Sequence, residues 1–204
     1  VRIRGFGSAQ GNVVRGNYIG TTISGTAALA NSAVGIVVED AQDTVVGGAT
    51  EGARNIISGN VGAGINISGT TSTGTIVQGN VIGASITGAA LGNGITFASG
   101  GIAIGGSSNL IGGVLQGEGN VIAFNRGQGV VVAGFAPGSG RQNQIRGNSI
   151  HSNTNSFPPS LGIDLGNNNI TLNDVGDGDA GPNDLQNFPT ITSASGNGVT
   201  TTVG

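Results

Sequence analysis

Four of the ten acidic side chains in this chain crowd into one stretch. Asp174, Asp177, Asp179 and Asp184 lie in Asn173-Asp174-Val175-Gly176-Asp177-Gly178-Asp179-Ala180-Gly181-Pro182-Asn183-Asp184, where glycines keep the backbone pliable. Calcium takes roughly six to eight oxygen ligands from loops able to wrap it, so these aspartates form a candidate calcium site, and calcium is the one cofactor the sequence suggests. The spacing departs from the EF-hand template. Counted from Asp177, Gly181 stands where a third oxygen ligand belongs and Phe188 where the bidentate glutamate belongs. The competing reading is a solvated turn cluster whose Asp and Asn side chains cap their own backbone.

Two weaker candidates for catalysis stand elsewhere. His151, in Ile150-His151-Ser152-Asn153, is the single histidine, and a general base needs a partner that the local sequence does not supply. Glu39 and Asp40, with Asp43 close by, offer paired carboxylates of the kind that cleave glycosidic bonds at separations of roughly 5 to 10 Å. The matching turn 65 residues on, Gly105-Gly106-Ser107-Ser108-Asn109, carries no acid, which favours a solvated turn at residues 39–43.

Composition narrows the class of protein. With 42 glycines, 3% aromatic and 8% charged residues, the chain is far from a globular average in which about a quarter of residues are charged. Its mean hydropathy of +0.14 and periodic apolar residues argue against disorder. The basic residues are seven scattered arginines against ten acids, a net charge of -3, which excludes the clustered positive surface that nucleic acid requires. No apolar run approaches the roughly 18 residues of a membrane helix. Cysteine is absent, so there is neither a disulfide framework nor a thiolate metal site.

The elements that must position these residues are short, repeated words. Gly35-Ile36-Val37-Val38, Gly64-Ile65-Asn66-Ile67, Gly101-Ile102-Ala103-Ile104, Gly129-Val130-Val131-Val132 and Gly162-Ile163-Asp164-Leu165 share the form glycine, apolar, variable, apolar. Alternation across a strand predicts that the apolar positions face a core and that the variable position, including Asn66 and Asp164, faces water. A second word, Asn-x-apolar-x-Gly-Asn, places Val14, Ile57, Val77, Ile122 and Ile145 in an inward column and Arg15, Ser58, Gln78, Ala123 and Arg146 in an outward one. No arginine neighbours an acid cluster within these repeats.

The words recur in order. Asn55 and Asn120, Gly64 and Gly129, and Gly69 and Gly134 each stand 65 apart, whereas Asn80 and Asn148 stand 68 apart. Fixed spacing of this kind marks a stacked array. The expected fold is all-β, a single-stranded parallel β-helix or solenoid. At roughly 20 residues per coil, about three coils would fill each 65-residue unit, stacked at about 4.8 Å. Coils are expected over residues 1–166. The rhythm breaks near Phe157-Pro158-Pro159, and an Asp/Asn/Gly-rich cap over 167–189 would cover the last coil, with Phe188 shielding it. Residues 190–204 read as the start of a following domain or tail. The chain opens mid-pattern, which suggests a segment of a longer polypeptide.

In its words, the chain resembles the right-handed parallel β-helix repeat proteins of the pectin-lyase-like superfamily, in particular long bacterial extracellular arrays. Asn17-Tyr18-Ile19-Gly20 through Asn31, echoed by Asn80-Val81-Ile82-Gly83 through Asn93, carries that resemblance, which spans about residues 10 to 189. It implies a secreted or cell-surface bacterial location, while the lack of a long apolar run predicts no membrane span in this segment. Lyases, hydrolases, adhesins and structural rods all use the fold. Lysine and the Gly-His-Gly word of that superfamily's polygalacturonases are missing, and Tyr18 is the single tyrosine with no tryptophan to stack on sugars. The expected function is therefore a non-catalytic structural or adhesive segment. The alternatives are a lyase or hydrolase of acidic polysaccharide, using His151 or Glu39 and Asp40, and a filament subunit. Expected partners are extracellular polysaccharide, neighbouring domains or copies of the chain itself, and not nucleic acid.

Overall fold

The computed structural model describes residues 1–94, 100–134, 138–154, 160–190, 192–196 and 201–203. Its coils each contribute three short strands. The first coil is β1 (Arg2–Gln10), β2 (Val13–Val14) and β3 (Tyr18–Ile19); the second is β4 (Ile36–Gln42), β5 (Val45–Gly47) and β6 (Ile56–Ile57). The third is β7 (Ile65–Ser68), β8 (Ile76–Gln78) and β9 (Val81–Ile82); the fourth is β10 (Ile102–Ile104), β11 (Leu110–Gly112) and β12 (Val121–Ala123). The fifth is β13 (Val130–Val132), β14 (Gln144–Arg146) and β15 (Ser149–His151), and β16 (Ile163–Leu165) opens a sixth.

First strands pair only with first strands, in the order β1-β4-β7-β10-β13-β16, and second and third strands form two further parallel sheets of five strands each. This is a parallel β-solenoid of about five turns, as the repeated words require. Every glycine-apolar-x-apolar word lies in the first sheet, in register: Ile36, Ile65, Ile102, Val130 and Ile163 stack in one column. Among the described residues, helical structure is limited to two short 3-10 turns, Glu51–Ala53 and Pro182–Leu185, so no helix is long and apolar enough to cross a membrane.

The core is one file of branched side chains. Ile36, Val38, Ile65, Ile67, Ile102, Val130 and Val132 are fully buried, joined by Val46, Val77 and Ile111 from the second sheet and Ile57, Ile82 and Ile122 from the third. Each contributes roughly 2 to 3 kcal/mol on burial. The predicted inward column Val14, Ile57, Val77, Ile122 and Ile145 faces this core, with the two end members less enclosed: Val14 is 8% exposed and Ile145 is partly buried. That column joins two sheets, because Val14, Val77 and Ile145 belong to second strands and Ile57 and Ile122 to third strands.

The coil is longer than the expected 20 residues. First strands from the second coil on begin at residues 36, 65, 102, 130 and 163, intervals of 29, 37, 28 and 33. A 65-residue unit therefore holds two coils, not three, and the two differ in where they are long. Odd coils pass from second to third strand in two or three residues and then make a wide excursion, from Ile19 to Ile36 and from Ile82 to Ile102. Even coils do the reverse, with the excursion between Gly47 and Ile56 or between Gly112 and Val121 and a tight return afterwards. A loop with its side chains needs about twice the 4.8 Å rise between strands, so excursions on one flank fit only on alternate coils. The excursions then touch: the N–H of Ile86 donates to Gly25 O at 3.0 Å.

Three outward assignments are also corrected. Ser58 and Ala123 are fully buried, because the excursion leaving β9 folds over the third sheet, and Ser58 Oγ donates to Ala84 O at 2.6 Å. Asp164 is 1% exposed instead of facing water, for a reason given below. Arg15, Gln78 and Arg146 lie on the outer column of the second sheet as expected, and they alternate there with Gly47 and Gly112, which shows the two-coil period directly. Arg15 Nε donates to Gly47 O and Gln78 Nε2 to Gly112 O, both at 3.0 Å, so each long side chain lies across a glycine of the next coil. Gly47 and Gly112 sit at φ of 84° and 88°, where a side chain is strained and a Cβ would lie 2.1 Å from a carbonyl oxygen of the next coil.

The expected break at Phe157-Pro158-Pro159 lies outside the described residues. Residues 167–189 fold back across the end of the fifth coil as a strap. Beyond it, β17 (Ala194–Gly196) and β18 (Thr201–Val203) pair antiparallel.

Candidate functional site

The polar counterpart of the core is a set of asparagine ladders. Asn17, Asn55, Asn80, Asn120 and Asn148 stack between the second and third strands, each Nδ2 donating to the next Oδ1 at 2.8 to 3.0 Å. Asn31, Asn60, Asn93, Asn125 and Asn153 form a second file after the third strands, at 2.7 to 2.9 Å. In both, Nδ2 also donates to a backbone carbonyl of the preceding coil, as Asn80 does to Val46 O and Asn93 to Ile57 O. An amide carries two donors and an acceptor with two lone pairs, so asparagine alone among short side chains links consecutive coils and still serves the corner's backbone. A third column, Asn12, Thr44, Thr75, Asn109 and Asn143, is broken by its threonines. Thr44 Oγ1, Thr75 Oγ1 and Asn12 Nδ2 are buried without hydrogen-bond partners.

The candidate catalytic residues are spread over the rod. His151 is exposed on β15, one position beyond the inward Ile150; its Nδ1 lies 3.2 Å from Ser152 Oγ and its ring meets Phe124 edge-on at 5.7 Å. Glu39 and Asp40 lie on β4 of the second coil, three coils or about 14 Å along the axis from His151, and on a different sheet. The expectation that no arginine neighbours these acids is overturned. Parallel pairing sets Arg4 opposite Glu39, and Glu39 Oε2 takes ion pairs from Arg2 Nη2 at 2.5 Å and Arg4 Nε at 3.3 Å. Arg4 also covers the exposed Phe6 ring at 4.6 Å. Asp40 faces the other way along the rod, accepting Thr71 Oγ1 at 3.0 Å. The two carboxylates thus bind different coils.

The acidic stretch lies in the strap and is bound up with holding it. Asp174 Oδ2 accepts the N–H of Gly178 at 3.0 Å, Asp177 Oδ1 accepts the N–H of Asn187 at 2.7 Å, and Asp184 pairs with Arg141 at 3.4 Å. Asp179 is half-buried in the same turn. Among the described residues, no three His, Cys, Asp or Glu side chains converge in a way that would hold a metal ion.

Sequence reasoning missed the residues that fix the strap. Asp164, on the last strand of the solenoid, turns its carboxylate into the fold-back, accepting Gln128 Nε2 at 2.9 Å and the N–H groups of Asn168 and Asn169 at 3.3 and 3.2 Å. Farther along, Asn183 takes the place of the next rung of the third column: its Oδ1 accepts the Asn143 N–H at 2.9 Å and its Nδ2 donates to Asn143 O at 2.7 Å. Asn173 and Phe188 clasp the strap's two arms, with Phe188 N–H on Asn173 Oδ1 at 2.9 Å and Asn173 Nδ2 on Phe188 O at 2.8 Å. Between strap and last coil lies a pocket of about 430 Å³ lined by residues including Ile145, Ile163, Leu165, Leu185 and Phe188. Phe188, expected as a shield, forms one wall and stays half exposed. The signal was present: Asn-x-x in the tail, at Asn183-Asp184-Leu185, repeats the corner chemistry without a following strand word. No family model, curated protein or solved structure matches the chain.

Proposed function

We propose that this chain is a non-catalytic rod segment of a large secreted or cell-surface bacterial protein, serving as a rigid spacer or adhesive stalk. The observation that carries this reading is the continuity of the interior. Buried isoleucines and valines and two unbroken asparagine files run through all five coils, so the structure is committed to length and stiffness. Side chains capable of chemistry are tied to neighbouring coils, Glu39 by Arg2 and Arg4 and Asp40 by Thr71. The resemblance to pectin-lyase-like bacterial arrays supports a place outside the cell.

The test is incubation of the 204-residue chain with a panel of uronic-acid and neutral polysaccharides. Ultraviolet absorbance would report unsaturated products and a reducing-end assay would report hydrolysis. No product from any polysaccharide is expected. Product that disappears in Glu39→Gln or His151→Ala would replace the rod by an enzyme. Calcium is tested separately: the acidic strap as a calcium loop requires a rise in melting temperature with millimolar calcium that Asp177→Ala abolishes.

A further inference from the structure

We infer that the pocket between the strap and the fifth coil is a binding site for a small, uncharged, mainly apolar molecule, of the size of one or two fused rings. Its floor is the uncovered end of the solenoid interior. Ile163 and Leu165 continue columns that are fully buried in every earlier coil from the second on, yet Ile163 is 41% exposed. Leu185 and Phe188 form the strap side. The volume of about 430 Å³ falls within the range of small-molecule sites, roughly 300 to 1,000 Å³.

The charge of the occupant follows from the lining. Among the described residues, none of those lining the pocket is ionisable, and a charge taken out of water without a partner is strongly disfavoured. Three of the amides that line it are engaged: Asn143 and Asn183 bond to each other, and Asn187 Nδ2 donates to Asp174 O while its Oδ1 accepts the Asp174 N–H. Asn169, Thr171 and Gln186 can meet one polar group of the occupant, whereas the other face it meets is Ile145, Ile163, Leu165, Leu185 and Phe188, so its greater part is apolar.

The pocket is also held open. Asn183, Asp184 and Leu185 occupy three consecutive left-handed conformations, φ 49°, 55° and 50°, which non-glycine residues adopt only when surrounding bonds enforce them. The Asn143–Asn183 pair holds that corner, while the Asn173–Phe188 clasp and Asp164 fix the rest of the strap, so it spans the core end. A strap serving only as a plug would place its apolar side chains against Ile163 and Leu165.

The experiment titrates the chain with N-phenyl-1-naphthylamine, a neutral dye whose fluorescence rises in apolar sites. Saturation at one dye per chain is expected, with displacement by toluene and at least tenfold weaker displacement by benzoate. Ile163→Trp, which fills the floor, should weaken binding at least tenfold, while Val175→Asn on the outer side of the strap should not. Because Ile163→Trp can disturb folding, toluene is also added to methyl-labelled wild-type protein. Shifts confined to the Ile145, Ile163, Leu165 and Leu185 methyls support the site. Non-saturating fluorescence, displacement by benzoate as strong as by toluene, dye binding unchanged in a folded Ile163→Trp, absent methyl shifts, or shifts centred on the exposed Ile23 and Leu29 would each overturn it.

Discussion

Asn80 Oδ1 accepts both the backbone N–H and the side-chain Nδ2–H of Asn55, at 3.3 and 2.9 Å, although the two residues are 25 apart in sequence. One amide thus closes the corner of the coil before it and, through its own Nδ2 on Asn120 Oδ1 at 3.0 Å, hands the same bond to the coil after it.

That arrangement makes the cost of losing a rung depend on depth. Asn80 is 1% exposed, so Asn80→Ala strands buried donors and acceptors in two coils and should cost about 3 kcal/mol. Asn17→Ala, at the exposed first rung, should cost about 1 kcal/mol. Urea denaturation of both variants checks the difference, and equal costs would show that burial does not govern the ladder.

The broken third column can be mended. Thr75 N–H already donates to Asn109 Oδ1 at 2.9 Å, and Asn109 Nδ2 reaches Asn143 Oδ1 at 3.0 Å. Thr75→Asn removes one partnerless buried hydroxyl and gives the new amide Asn109 Oδ1 as acceptor, for a gain of about 1 kcal/mol. A thermal melt that moves down instead would mean the corner lacks room for the amide.

Asp164 should act as the latch of the strap alone. Asp164→Ala removes three hydrogen bonds to Gln128, Asn168 and Asn169 and should speed proteolysis within residues 167–189 by about tenfold. In a solenoid each coil contacts only its neighbours, so amide exchange in β7 and β10 should stay as in the wild type. Loss of protection in β7 would show that the strap stabilises the whole rod.

The two-coil period predicts which excisions are tolerated. Removing residues 65–129 joins Gly64 to Val130, with equivalent words on either side, and keeps excursions on alternate coils. That variant should fold as a rod shorter by about 10 Å in solution scattering. Removing residues 36–64 takes out one coil and brings the wide excursions after β3 and β9 onto adjacent coils. It should lose cooperative melting.

The fold was legible because its words are local: glycine-apolar-x-apolar at Gly35, Gly64, Gly101, Gly129 and Gly162 states both a strand and its buried face. The inward columns followed from the same alternation, and the place of Arg15 and Arg146 on one outer column with it. Other residues needed distant parts of the chain. Glu39 shows no basic neighbour within the repeats until parallel pairing sets Arg4 beside it. Ser58, Ala123 and Asp164 occupy outward positions by pattern, yet an excursion or the strap covers each of them.

The sequence by itself determined that short apolar rungs separated by glycine and asparagine corners would stack in parallel, since side-chain alternation and corner conformations depend on a few adjacent residues. Only the tertiary structure decided that about 32 residues close a coil, that two coils make the 65-residue unit, and that the end of the core remains partly open. Those outcomes depend on which identical word pairs with which and on whether neighbouring loops fit one rise apart, and both are set by contacts between residues 25 to 43 positions apart.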